Sequence, residues 1–229
     1  MNQVAITIDI DWAPDKVLGH TLEMISRAGI CCTLFATHET TLLKGLDTKQ
    51  FEIGIHPNFN PLLNGDPGRP EDIVYPLKDA FPGSRGIRSH SSLVSNVLVG
   101  LFGDMGFAYE SNICLPYSRH LEVFPLWNGM LRIPFNWEDY LHFSFGRSFH
   151  TSGLEMKKGL NILNFHPVHV FLNTENPERY ESARSHYQSP EHLVKYRNQD
   201  IGTATLLGSI LEGEYDFVKL EDLSYARQP

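Results

Sequence analysis

Asp9 and Asp11 close the run Ala5-Ile6-Thr7-Ile8-Asp9-Ile10-Asp11-Trp12, placing two carboxylates two residues apart at the end of what reads as a buried first strand. Residues i and i+2 of a strand share one face and lie about 6 to 7 Å apart along it. Thr7, Asp9 and Asp11 are therefore expected on one side, with Ile6, Ile8 and Ile10 on the other. Like charges at that separation in a low-dielectric site push one pKa up unless a cation sits beside them. The pair implies a metal, a shared proton, or both. The plainer reading is that the two acids end the strand and cap a helix that starts near Pro14.

Further residues of this kind stand at or just past later apolar runs: His56, Arg88 with His90, Asp139 and His166. Asn60 follows His56 by four positions, and in a tight helical turn such residues point the same way, so an imidazole and an amide oxygen could join a carboxylate around one ion. Asn58 competes for that role, and a loop amide bonding its own backbone is the alternative for Asn60. Three protein ligands and a water form the open geometry of a catalytic metal site. The ion would polarise the water and a substrate carbonyl, and the remaining carboxylate would act as general base. His166 could protonate a leaving group, its ring oriented by Asp139 or a backbone carbonyl, while Arg88 could hold the base carboxylate ionised. Trp127, Trp137, Phe135 and Tyr140 offer aromatic surface to a sugar ring or fill the core. No phosphate-loop pattern and no Gly-x-Ser-x-Gly elbow appears.

To converge, these residues need strands whose ends meet on one rim. Apolar positions over 15–28 have helical spacing and stop at Gly29, and 30–37 reads as a second buried strand, so the chain opens with a βαβ unit. A short helix over 39–46 precedes a strand at 51–55 that ends in His56-Pro57, and the Pro/Gly-rich stretch 57–70 reads as a long loop. The alternation continues with a helix over 71–80, a strand over 85–89 and a helix over 91–103. Strands are expected at 108–115, 130–134 and 159–167. The stretch 173–199 reads as a loop or lid, followed by a helix over 200–212 and a strand over 215–219. This pattern predicts an α/β fold, a distorted (β/α) barrel of about seven parallel strands, with residues 1–229 as one domain and the site at the strand carboxyl ends.

Composition narrows the partners. Nineteen Lys and Arg against 27 Asp and Glu give a net charge of -8, which argues against nucleic acid and anionic membrane as partners. Three cysteines, two of them adjacent at Cys31 and Cys32, do not suit an ordinary structural disulfide and suggest a reduced compartment. Eleven histidines point to a metal site built from nitrogen and oxygen ligands. With neither a basic leader nor an apolar run of membrane-spanning length, the expected location is the cytoplasm.

With these residues in place, the chain resembles the polysaccharide deacetylase family, also called the NodB-homology domain, and in particular the deacetylase-like proteins of bacterial lipopolysaccharide O-antigen gene clusters. Thr7-Ile8-Asp9-Ile10-Asp11 looks like the family's first motif, which implies Asp9 as catalytic base and Asp11 as metal ligand. His56-Pro57-Asn58-Phe59-Asn60 falls where the family has two histidines four apart, with Asn60 in the second place. Arg88 matches the arginine that orients the base, although Ser89-His90-Ser91 replaces the Pro and Tyr that usually follow, leaving His90 as a substitute ligand or a substrate contact. Trp137 to Asp139 falls at the Trp and Asp motif, and Leu163-Asn164-Phe165-His166-Pro167 at the general-acid motif. The resemblance covers about residues 4 to 170.

It implies a hydrolase holding one divalent ion, zinc first and otherwise cobalt, manganese or nickel, on Asp11, His56 and Asn60. Asp9, Arg88, Asp139 and His166 would be catalytic, and His90 and Trp137 would touch substrate. The expected substrate is an N-acetylated sugar, linked to a nucleotide or a lipid, in O-antigen biosynthesis, with the protein cytoplasmic or peripheral to the inner membrane. The alternatives are an inactive carbohydrate-binding member of the same fold and a hydrolase of another small C–N substrate.

Overall fold

The computed structural model describes residues 2–150, 156 and 158–225. Ten strand segments form its sheet: β1 (Gln3–Asp9), β2 (Cys32–Ala36), β3 (Phe51–Ile55), β4 (Gly86–Ile87), β5 (Tyr109–Glu110), β6 (Phe124–Pro125), β7 (Leu131–Arg132), β8 (Trp137–Glu138), β9 (Leu160–Phe165) and β10 (Asp216–Phe217). Their order is β6-β7-β5-β4-β3-β2-β1-β9-β8, with β10 beside the start of β1, and only the β6–β7 pairing is antiparallel. The mostly parallel sheet curls into a half-barrel with helices outside it, a NodB-like (β/α) barrel. The chain from β7 to β8 ties its two edges. Ile133 N bonds Glu110 O at 2.9 Å and Phe135 N bonds Ile113 O at 2.9 Å on one side, and Asn136 N bonds Ile162 O at 3.1 Å on the other.

Period-two alternation sorts the strand residues between two cores. Val4, Ile6 and Ile8 of β1, Leu34 of β2 and Leu163 and Phe165 of β9 face outward into the layer of helices. The helix Asp15–Ala28 covers part of that face with Val17, Leu18, Leu22 and Ile25, and ends where Gly29 takes a left-handed conformation (φ 67°). Ala5, Phe35, Tyr109, Phe135 and Ile162 fill the inside of the curl. Above them the inward positions become polar, with Thr7, Asp9, Arg88 and Asn164 all buried.

The amino end of the barrel is closed by a polar network. Glu52 accepts hydrogen bonds from Thr33 Oγ1 (2.8 Å), the Tyr109 hydroxyl (2.5 Å) and Glu221 N (3.0 Å), the last at the start of the C-terminal helix Leu220–Tyr225. Burial pushes its carboxyl up to about 7, against the lowering effect of those donors.

Several expectations shift in detail. The first strand ends at Asp9, so Asp11 is not on its face: Asp11 (φ 42°) and Trp12 (φ 55°) form a left-handed turn. The stretch 173–199 is not one loop but holds the helices Pro177–Ala183 and Pro190–Leu193, the first capped by Asn176 Oδ1 accepting from Arg179 N at 2.8 Å. β6 and β8 were not expected, each being two residues long. Among the described residues no helix is long and apolar enough to cross a membrane.

Gly86 gives the fold a direct test. A Cβ there would lie 2.1 Å from Tyr109 Cζ, inside the ring that fills the barrel. Gly86→Ala is expected to lower the unfolding free energy by about 1–3 kcal/mol in urea titrations. Gly83→Ala, whose added Cβ meets nothing within 4 Å, is the control and should change it by less than about 0.5 kcal/mol.

Candidate active site

The carboxyl ends of β1, β3, β4 and β9 open into a cleft of about 870 Å³, lined among others by Asp9, Asp11, His56, His90, Glu138 and His166. Arg88 lies beneath its floor, fully buried. Its Nη1 donates to Thr7 Oγ1 (3.0 Å), Asp9 Oδ1 (3.0 Å) and Asn164 Oδ1 (2.6 Å), while Nε and Nη2 donate to the backbone and side-chain oxygens of Ser111, each at 2.8 Å. The guanidinium carbon sits 4.3 Å from the centroid of the Phe35 ring and 4.5 Å from that of Phe135. Asn164 Nδ2 donates to the second Asp9 oxygen at 2.9 Å. Burial alone would raise the Asp9 pKa; Arg88, then His56 and His166, outweigh it and hold the carboxyl below its ordinary range.

Asp11 reaches the cleft through the left-handed turn. Trp12 N donates to Thr37 Oγ1 at 2.9 Å, Gln188 Nε2 to Trp12 O at 3.2 Å, and the Tyr187 hydroxyl to Asp11 O. Such conformations cost of order 1–3 kcal/mol for residues with a side chain and persist where their surroundings fix them. The turn sets Asp11 Oδ1 3.2 Å from His56 Nε2 and 3.1 Å from His90 Nδ1. The three ligand-type atoms lie within 4.8 Å of one another.

This donor set fits a cation. His56 Nδ1 is 2.7 Å from the Arg88 carbonyl oxygen. A carbonyl only accepts, so Nδ1 carries the hydrogen and a neutral ring turns the lone pair of Nε2 toward the Asp11 carboxylate. Two acceptors at that distance repel unless a proton or a metal ion lies between them. One carboxylate and two imidazoles suit a divalent transition ion, and three protein ligands leave a position open for water.

His166 faces this group from the end of β9. Its backbone N donates to Asp139 Oδ2 at 2.7 Å, and its Nδ1 pairs with Asp139 Oδ1 at 2.6 Å. Its Nε2 is 3.8 Å from Asp11 Oδ2 and 3.8 Å from Glu138 Oε1. Burial opposes the imidazolium, but the Asp139 carboxylate, with Asp11 and Glu138, raises the His166 pKa well above the ordinary histidine value. His166 is therefore set to carry a proton on Nε2 that it can give up into the cleft. Cys114 also lines the cleft, but burial pushes its thiol up to about 12, which does not suit a nucleophile.

Asp9, Asp11, His56, Arg88, His90, Asp139 and His166 thus come together. Asn60 and Trp137 do not. Asn60 starts the short helix Asn60–Leu63, its Nδ2 donates to Ser91 Oγ at 3.0 Å, and it is absent from the cleft lining; His90 stands where the third ligand was expected. Trp137 points into the core, 1% exposed, with Nε1 donating to His142 Nδ1 at 2.9 Å, while Trp12, Tyr140, Tyr180 and Tyr187 are the aromatic residues on the cleft. Sequence reasoning missed Glu138 and Asn164. Strand periodicity could have found both: Asn164 is two residues before His166 on β9, and Glu138 alternates with the buried Trp137 on β8.

Barrel and site together define a protein of the NodB-like polysaccharide deacetylase class. The sequence matches the WbmS-like polysaccharide deacetylase family over residues 6–184. The chain belongs to that family. It is similar to a candidate polysaccharide deacetylase involved in O-antigen biosynthesis from Bordetella bronchiseptica, at 38% identity and a TM-score of 0.86 over 91% of this chain and 89% of that one. Two more distant structures share the fold. One is a candidate polysaccharide deacetylase from Mycobacterium smegmatis, with a TM-score of 0.58 and 15% identity over 98% of this chain and 89% of that one. The other is a CE4 family pseudoenzyme from Bacillus anthracis, with a TM-score of 0.51 and 13% identity over 97% of this chain and 65% of that one. No curated protein matches the sequence.

The Asp139–His166 pair can be tested without a substrate. Asp139→Asn removes the charge that favours the imidazolium, so His166 is expected to titrate at lower pH than in the native protein. NMR titration of its ring protons measures this, and an unchanged midpoint would show that Asp139 does not set the protonation of His166.

Proposed function

We propose that the protein is a divalent-metal-dependent hydrolase that removes an N-acetyl group from a nucleotide- or lipid-linked sugar of O-antigen biosynthesis. The observation that carries this reading is the juxtaposition of the Asp11, His56 and His90 side-chain atoms with Nε2 of His166, 3.8 Å from Asp11 Oδ2. Family membership and the O-antigen relative support the substrate class.

The chemistry a divalent ion supplies at such a site is polarisation of the acyl carbonyl and acidification of a water. Asp9 takes the proton of the attacking water. It is kept ionised by Arg88 and fixed at both oxygens by Arg88 and Asn164. His166 Nε2 gives its proton to the departing nitrogen as the C–N bond breaks, and Asp139 holds the ring in the required tautomer and stabilises its charge. The cleft-facing rings of Trp12, Tyr140 and Tyr180 supply apolar surface for the faces of a sugar.

Asp9→Asn should retain the metal, by elemental analysis, while kcat for acetate release falls about 100-fold or more. Turnover at the native rate in that variant would remove Asp9 as the base. A further comparison separates the candidate ligands. His90→Ala should weaken metal binding, by calorimetry, more than about tenfold, and Asn60→Ala should leave it near the native value. The reverse order would restore Asn60 as the ligand. A protein that binds acetylated sugars but releases no acetate with zinc, cobalt, manganese or nickel supplied would be a carbohydrate-binding member of the family.

A further inference from the structure

Glu138 is the one carboxylate on the cleft, among the described residues, that neither accepts a hydrogen bond from the protein nor belongs to the ligand group. Asp9 is held by Arg88 and Asn164, and Asp11 faces His56 and His90. Glu181, also on the cleft, pairs with Arg184 at the exposed rim. Among the described residues the one ion-pair partner of Glu138 Oε1 is His166 Nε2, at 3.8 Å, and the Glu138 side chain is 19% exposed. Burial pushes the carboxyl up to about 7, as expected for an acid that lacks a donor. Its backbone is well fixed: β8 pairs with β9 through Trp137↔Leu163 and Glu138↔Asn164, and the next residue, Asp139, holds His166.

The gap has chemical meaning. At 3.8 Å, Glu138 Oε1 and His166 Nε2 are too far apart to bond each other. A single atom about 2.9 Å from each would subtend about 80° between them, an angle that one nitrogen can present to an acceptor and a donor. In the proposed reaction that atom is the nitrogen of the scissile amide, which carries an N–H from the start and receives a second proton from His166.

We propose that Glu138 Oε1 accepts the N–H of the scissile amide and then the ammonium it becomes, and so sets a preference for N-acyl over O-acyl groups. This rests on the deacetylase reading above. As the C–N bond breaks, its electron pair goes to nitrogen and is protonated from His166 Nε2, and the water proton goes to Asp9. The amine then takes a further proton from solvent to face the Glu138 carboxylate as a cation. An ester oxygen at the same place has no hydrogen to donate and meets Glu138 acceptor to acceptor, which is unfavourable.

The test uses the metal-loaded full chain, with Glu138→Leu and Glu138→Gln, on matched N-acetyl and O-acetyl sugars. Glu138→Leu should lower kcat/KM for the N-acetyl sugar about 10- to 100-fold and leave O-acetyl hydrolysis unchanged or faster. Glu138→Gln, whose amide oxygen still accepts, should recover most of the N-acetyl activity. Equal loss on amide and ester would mean a structural role and overturn the proposal, as would no loss on the amide.

A second arm needs no turnover: calorimetric binding of 2-, 3- and 4-amino hexoses against their hydroxyl counterparts. At least one amine should bind the native protein more tightly than its hydroxyl partner, and that advantage should vanish in Glu138→Leu and shrink in Glu138→Gln, which still accepts a hydrogen bond but carries no charge. Native protein without such an advantage, or a Glu138→Leu variant that keeps it, would overturn the assignment of Glu138. If the native protein released no acetate, the deacetylase reading would fail, and this arm would still decide whether Glu138 receives an amine.

Discussion

A permanently charged guanidinium sealed inside the barrel is the constraint on which the rest of this structure depends. Arg88 has no exposed surface, and an ion in that position costs several kcal/mol unless it is paired and its donors are bonded. The structure meets that demand with Asp9 and Thr7 from β1, Asn164 from β9 and both oxygens of Ser111 just beyond β5. Rings from β2 and from the stretch before β8 cover its two faces. Lysine could not replace it, because no other cation presents a flat fork of donors to three sides while stacking between aromatic rings. The strands that carry the site are thus held in mutual register by a group that never reaches the cleft.

That buried charge also sorts the protons above it. Asp9 is held below its ordinary range although burial would raise it, while burial pushes Glu138, lacking a bonded cation, up to about 7. The histidines divide in the same way. His166 is raised well above the ordinary value by Asp139, and His169, three residues on, is driven down to about 4 by burial and packs neutral against Phe143 and Tyr180. Groups of one chemical type with environments that push them apart are what acid and base roles require. Asp9 and His166 are driven in opposite directions by what lies behind them, Arg88 in one case and Asp139 in the other, rather than by their own identities.

Residues that end an apolar run were legible in the sequence because burial leaves a record in composition. Asp9, His56, Arg88 and His166 each follow such a run, and the barrel follows from the alternation of those runs with helical segments. What the spacing could not carry was contact between loops. Asn60 satisfied a helical i, i+4 rule, yet it lies off the cleft with its Nδ2 donating to Ser91 Oγ, and the place beside Asp11 and His56 is filled by His90, whose loop is pinned by His90 N to Pro57 O at 2.9 Å. The loop reaches that place through left-handed Ser91 (φ 57°) and Ser92 (φ 53°), which no propensity for serine predicts. Trp137 shows the opposite error: an aromatic residue next in sequence to cleft residues was read as a sugar contact, and it serves the core. The helices over 173–199 were hidden by polar composition, although Asn176-Pro177 carries the sequence of a helix start.

The left-handed turn at Asp11 and Trp12 ties the beginning of the chain to a segment made much later. The Tyr187 hydroxyl that holds the Asp11 carbonyl lies 176 positions downstream, and Gln188 holds the Trp12 carbonyl from the same segment. A nascent chain that has delivered Asp11, His56 and His90 already carries these three cleft side chains but not the bonds that fix the first of them. During synthesis the strained turn is therefore among the last parts of the site to settle. The contacts that fix Asp11 exist only once the segment carrying Tyr187 and Gln188 has been made and folded back onto the first strand.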